Sequence, residues 1–100
     1  MPPTFGSFHE FYPYYLSEHS HPTNRRLHFA GTTLVLVLCV LAPILDLRLF
    51  AALPVAGYGF AWVGHFVVEK NRPATFRHPL WSLMGDFRMY ADILTGRVGL

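Results

Sequence analysis

Charge is scarce in this chain. Only 14% of its 100 residues are Asp, Glu, Lys or Arg, while 52% are hydrophobic. An ordinary soluble domain carries roughly a quarter charged residues. One hundred residues bound the chain to one domain with little interior to hide so much apolar surface, which weighs against a water-soluble monomer. The net charge of +2 is too small and its carriers too scattered for a nucleic-acid binder. Cysteine is confined to Cys39, so no intramolecular disulfide framework exists, and there is no CxxC pair to hold zinc. HExxH, GxSxG and the P-loop are also missing, which excludes a zincin-type protease and leaves Ser17, Ser20 and Ser82 without a nucleophile elbow. Repeats and low-complexity tracts are absent.

Two long uncharged runs dominate what is present. The first is Phe29 to Leu45 and reaches spanning length when extended back to Leu27; the second is Leu49 to Val68. A helix needs about 20 apolar residues to cross a hydrocarbon core. The fold class expected is therefore an all-α membrane protein: an antiparallel hairpin of two transmembrane helices, about 27–45 and 49–68, turning at Asp46-Leu47-Arg48. The late start of the first run, behind a lead rich in aromatic residues and His, argues against a cleaved signal peptide. Arg25, Arg26, Lys70, Arg72, Arg77, Arg88 and Arg97 lie beyond the open end of the hairpin and only Arg48 lies at the turn. That asymmetry places both termini on the cytoplasmic side, in a bacterial inner membrane or, in a eukaryote, the endoplasmic reticulum.

The flanks read as short interfacial helices. Tyr14 to His19 forms one, with Pro13 ahead of it. Another runs from Pro79 to Leu94, with Leu80, Leu83, Met84, Phe87, Ala91 and Leu94 on one stripe; Asp86, Arg88 and Asp92 argue against a full span. Trp81 and the run Phe11, Tyr12, Tyr14, Tyr15 have the composition of an aromatic belt. Ala52, Ala56, Gly57, Gly59, Ala61 and Gly64 make the second span rich in small residues, which favours close helix packing and a homo-oligomer.

Six histidines carry most of the functional signal, and none lies near the turn. His9 and His21 read as terminal and loop residues without a role. In an antiparallel hairpin His28 and His65 reach the same depth, and His19 and His78 approach from the flanks. Four imidazoles at one membrane edge form a metal-site arrangement suited to iron or zinc. His65 is the most telling, because an ionisable group within a span is a functional hypothesis by default. Glu69 follows it by four residues, as His28 follows Asn24, and both pairs would share a helix face. Haem held by paired His is disfavoured, because the histidines cluster at one face only. The remaining alternative to an enzyme is a membrane protein whose His cluster binds or senses a metal.

The string Tyr15-Leu16-Ser17-Glu18-His19, with Pro22, Asn24, Leu27-His28 and Gly31-Thr32, resembles a small membrane-protein family related to fungal 2-hydroxy fatty acid dioxygenase. So do Gly64-His65, Glu69, Asn71-Arg72-Pro73-Ala74, His78-Pro79-Leu80-Trp81-Ser82-Leu83 and Gly85-Asp86. The resemblance covers about Phe11 to Gly96. It implies an Fe(II)-dependent oxygenase of fatty acid α-oxidation, which uses O2 to shorten a 2-hydroxy fatty acid by one carbon. The family's histidine positions fall on His19, His28, His65 and His78, taken here as metal ligands. Glu69 and Asp86 become candidate catalytic groups or orienters of a ligand His. Asn24, Asn71, Arg72 and Arg77 become candidate substrate contacts, the arginines for a carboxylate. The partners implied are the 2-hydroxy fatty acid, O2 and membrane lipids.

Overall fold

The computed structural model describes residues 5–73 and 76–100, and among these every regular element is helical. Ala74, part of the Asn71-to-Ala74 string, lies outside the described residues.

Helix α1 spans Phe8–Ser17. It begins well before the expected Tyr14, so Pro13 sits inside it rather than ahead of it. The physical reason is a capping arrangement that the reading from Tyr14 overlooks. The Ser7 hydroxyl accepts from the Glu10 N–H at 3.3 Å, and the Glu10 carboxylate accepts from the Gly6 N–H at 2.8 Å. Two orphan donors at the helix start are thereby satisfied. Phe11 and Tyr15, one turn apart, are buried with Met89 in a small core against which Phe5, Phe8 and Trp81 pack.

Helix α2 spans Pro22–Leu45, opened by a proline in its first turn and capped by the His21 ring, which accepts from the Thr23 N–H at 3.1 Å. A second rod, α3, covers Leu47–Glu69. Asp46 alone separates them; its carboxylate accepts the Arg48 N–H at 2.9 Å and pairs with the Arg48 guanidinium at 2.8 Å. These helices, of 24 and 23 residues with mean hydropathy 2.1 and 1.4, are long and apolar enough to cross a membrane. At about 1.5 Å per residue each exceeds a hydrocarbon core of about 30 Å. Only 22% and 17% of their most apolar windows are buried within the protein, whereas a soluble core helix is mostly buried. The two rods lie side by side in opposite directions, His28 beside His65, Gly31 against Ala56 and Phe60, and Val35 against Gly57. Gly31 allows this approach, because a Cβ there would lie 3.0 Å from the Ala56 carbonyl oxygen. Ala56, Ala61 and Gly64 are buried against the same chain. Half of the small-residue stripe thus serves internal packing.

Rod α3 changes type along its length: 3-10 over Leu47–Ala52, π over Val55–Gly59, α over Phe60–Trp62 and π again over Val63–Glu69. The π turns are wider than α turns, and such turns gather at functional sites.

Helix α4 spans Pro79–Leu94. It buries Ser82, Gly85, Met89 and Asp92, while Leu80, Leu83, Met84, Phe87 and Leu94 are all exposed. Polar and small side chains face inward and the leucine stripe faces out, the reverse of a helix on a water-soluble core. Gly85 is required where α4 meets α1, since a Cβ would stand 2.8 Å from the Tyr15 ring. Asp92 accepts from the Tyr12 hydroxyl at 2.7 Å and pairs with Arg88 at 3.3 Å, which ties the far end of α4 back to α1.

Candidate metal centre

Three histidines from three segments meet at one point. His19 follows α1, His28 lies two turns into α2, and His65 sits in the last π turn of α3; all three are buried. Each offers a ring nitrogen within 4.8 Å of the other two. The ring centroids are 4.3, 4.4 and 5.1 Å apart.

Hydrogen bonds assign the tautomers of two of the rings, His19 and His65. A carbonyl oxygen only accepts, so Nδ1 of His19, 2.7 Å from the Tyr15 carbonyl, carries its proton there. His65 Nδ1 lies 2.7 Å from Oδ1 of Asn71, whose NH2 group donates to the Glu18 carboxylate at 2.6 Å and the Glu18 carbonyl at 3.1 Å. The amide is thereby oriented with its oxygen toward the ring, and His65 also donates from Nδ1. His28 Nδ1 lies 3.6 Å from the Asp86 carboxylate, which the Tyr15 hydroxyl holds by a hydrogen bond. His19 thus presents the lone pair of its Nε2 toward His28, while the His28 Nδ1–Asp86 approach at 3.6 Å is too long for a hydrogen bond.

His28 Nε2 lies 3.2 Å from His19 Nε2 and, with its proton on Nε2, donates a hydrogen bond to it. A metal ion bound there would replace that proton. For ligand bonds of about 2.1 Å, neighbouring nitrogens stand about 3.0 Å apart in an octahedral site and about 3.4 Å in a tetrahedral one. The His19–His28 distance falls between these values, so this pair suits a divalent transition metal bound by neutral imidazoles. Burial, reinforced by the neighbouring His28 and His65, pushes the His19 imidazole well below its usual value and keeps it in the neutral form a metal requires. Burial and Asp86 push the Tyr15 hydroxyl up, so it stays a donor to that carboxylate.

A cavity of about 10 Å³ adjoins the rings, lined also by Tyr58, Ser82 and Asp86. That is about the room of one water. The Ser82 hydroxyl is buried and has no hydrogen-bond partner among the described residues.

The remaining candidates are placed as follows. His78 is apart from the triad; its ring stacks on Trp81 and packs against Phe5 and Phe11. Residues four apart stay on one face in a π turn, but the hydrogen bonds of the Glu69 carboxylate go elsewhere than to His65. Glu69 instead accepts from the Ser20 hydroxyl and the His21 N–H, clasping the link between α1 and α2. Asn71 takes the place expected of Glu69. Its backbone N–H donates to the His65 carbonyl at 2.9 Å while its side chain receives the His65 ring, a return made possible by Lys70 in the left-handed region at φ 58°. Asn24 is fully buried beside Gly64, and neither polar atom of its amide has a partner among the described residues. Arg72 and Arg77 are exposed. Sequence reasoning missed Glu18 and Tyr15 as supports of the triad; the signal was their place immediately before His19.

A family model described as 2-hydroxy-palmitic acid dioxygenase Mpo1-like matches residues 5–98. The chain belongs to this family. No curated protein and no solved structure matches it. For this Mpo1-like chain the family description gives a relation to 2-hydroxy fatty acid dioxygenases, and the His triad offers a metal ion three buried ring nitrogens.

Proposed function

We propose that this protein is a membrane-embedded Fe(II)-dependent dioxygenase of fatty acid α-oxidation. It takes a 2-hydroxy fatty acid and O2 and yields the acid one carbon shorter, CO2 and water. The C1–C2 bond breaks, and the four electrons released by the substrate match the four that O2 accepts, so no further reductant is needed. The observation that carries the reading is the convergence of three buried imidazoles, two of them, His19 and His65, with Nδ1 already hydrogen-bonded.

His19, His28 and His65 would hold the iron, which when bound supplies a Lewis acid for the substrate oxygens and a redox partner for O2. Three protein ligands leave positions for exchangeable groups. Tyr15 and Asn71 fix the His19 and His65 rings through their Nδ1 atoms, and Asp86 stands beside Nδ1 of His28. The Ser82 hydroxyl, buried beside the rings and unpaired among the described residues, donates to an oxygen of the substrate head. Arg72 and Arg77 attract the carboxylate from the surface, and Asn24 lines the approach between α2 and α3. Glu69 acts as a positioning residue through the α1–α2 link. His78 belongs to the aromatic packing that supports α1. In the membrane, α2 and α3 form a hairpin with the triad and both termini toward the cytoplasmic side of a bacterial inner membrane or its endoplasmic-reticulum equivalent.

The test is metal analysis of protein purified in detergent without oxygen, alongside His28→Ala and His65→Ala, followed by O2 uptake with 2-hydroxyhexadecanoic acid. The expected result is iron near one per chain, lost in both variants while helicity is retained, and substrate-dependent O2 uptake. Stoichiometric zinc without O2 uptake would establish the structural or sensing alternative instead.

A further inference from the structure

A second cavity, of about 60 Å³, begins at the triad and leaves it in the apolar direction. It shares His28 and Asp86 with the cavity beside the rings and continues between Thr32 and Val35 of α2, Gly57 of α3, and Leu83 and Phe87 of α4. Helix α4 divides the two spaces by adjacent residues. Ser82 and Asp86, one turn apart, line the space at the rings; Leu83 and Phe87, also one turn apart, line the apolar space. Leu83 and Phe87 are about half exposed on the outer side, so this space opens laterally where the apolar faces of α2 and α4 are uncovered. Gly57 keeps it open: a Cβ there would make only ordinary contact with Val35 at 3.7 Å, whereas a branched side chain would extend into it.

We infer that the space bounded by Thr32, Val35, Gly57, Leu83 and Phe87 holds the first methylenes of an acyl chain whose polar head lies at His28 and Asp86. The polarity of the two spaces matches the two ends of such a molecule, and their shared wall matches its head–tail junction. The remainder of the tail passes Leu83 and Phe87 into the surrounding apolar phase. The inference rests on the dioxygenase reading only for the identity of the head group.

The experiment uses iron-loaded, detergent-purified full chain and 2-hydroxyhexadecanoic acid bearing a diazirine early in its tail. Adducts are expected on Val35, Leu83 or Phe87 and should be suppressed by excess unlabelled acid. Gly57→Leu should lower labelling and binding of this acid roughly tenfold or more, since blocked methylenes cost about that much. Binding of 2-hydroxybutanoic acid and iron content should be unchanged, and Gly57→Ala should behave as wild type. Val35→Phe narrows the same space from α2 and serves if Gly57→Leu does not fold. Adducts spread over Ile44, Leu45 and Val55, or long-chain binding unaffected in both blocking variants, would overturn the inference while leaving the dioxygenase reading intact. Specific labelling without O2 uptake would do the reverse: the acyl site would stand and the dioxygenase reading would fall.

Discussion

The two ends of the α2–α3 pair follow opposite rules. At the His28–His65 end, the interior is polar: His19, Asn24, His28, His65 and Ser82 are all buried. At the Asp46 end the protein has almost no interior. Ala42 is buried there, while Val40, Ile44, Leu45 and Leu47 are between 62% and 70% exposed. One end is specified by hydrogen bonds and close approaches between particular atoms. The other is specified by composition alone, and any apolar side chain of helical habit would serve there. Buried polar groups and exposed aliphatic ones suit an apolar surrounding, in keeping with two helices long and apolar enough to cross a membrane.

Substitutions should separate the two ends sharply, and the largest effect belongs at Gly64. A Cβ there would fall 1.7 Å from Oδ1 of Asn24, so Gly64→Ala must displace α2 from the π turn that carries His65. The expected outcome is loss of metal binding and of roughly 3 kcal/mol or more in detergent unfolding, at the upper end of overpacking effects. Asn24→Ala in the same chain should restore much of both, because it removes the colliding amide. A double-mutant cycle showing simple additivity would contradict that contact.

Next in size is Asn71→Ala. It frees the His65 ring without touching its Nε2, so metal affinity should fall about 10- to 100-fold, the usual cost of removing an orienting partner. Competitive titration against a chelator measures this directly. Helicity should be retained, since the backbone N–H that Asn71 donates to His65 remains.

Acid should act at the polar end as well. His19 is held below its ordinary value by burial, so the unfolded chain binds a proton there that the folded chain refuses. The metal-free protein should therefore lose stability as pH falls below about 6.5, the unperturbed imidazole value, and gain none above it. Denaturant midpoints of the metal-free chain at pH 5 and pH 8 test the sign.

The smallest effects belong at the turn end. Ile44→Ala should stay within about 0.5 kcal/mol of wild type, as surface substitutions do. Arg48→Ala removes only an exposed pair with Asp46 and should change neither unfolding nor metal content. A large loss at Ile44 would mean that the turn end packs against a partner, and the contrast between the ends would disappear.

Much of this architecture is written in local features. Spans, turn and apolar stripe follow from runs and spacings that any reader of the chain meets, and three of the four histidines singled out do converge. Misplaced features share one physical origin. The start of α1 depends on a Ser7–Glu10 cap outside the hydrophobic pattern. The partner of His65 depends on Lys70 in the left-handed region, which turns Asn71 back onto the ring, and a non-glycine residue there gives no sign of that turn in the sequence. His78 has the same chemistry and the same side of the turn as the triad, yet Trp81 and Phe11 hold it in an aromatic stack.

The amino-acid sequence by itself determined that this chain is helical, that two segments can cross a membrane and that its imidazoles gather at one side of the turn. Those properties depend on composition and period, which act within a few residues. Tertiary structure alone decided which histidines meet, which nitrogen each turns inward, and that α4 shows its leucines outward and Ser82 and Asp86 inward. Those choices depend on atoms more than forty residues apart in sequence, Tyr15 with Asp86 and Glu18 with Asn71, coming within a hydrogen bond of each other.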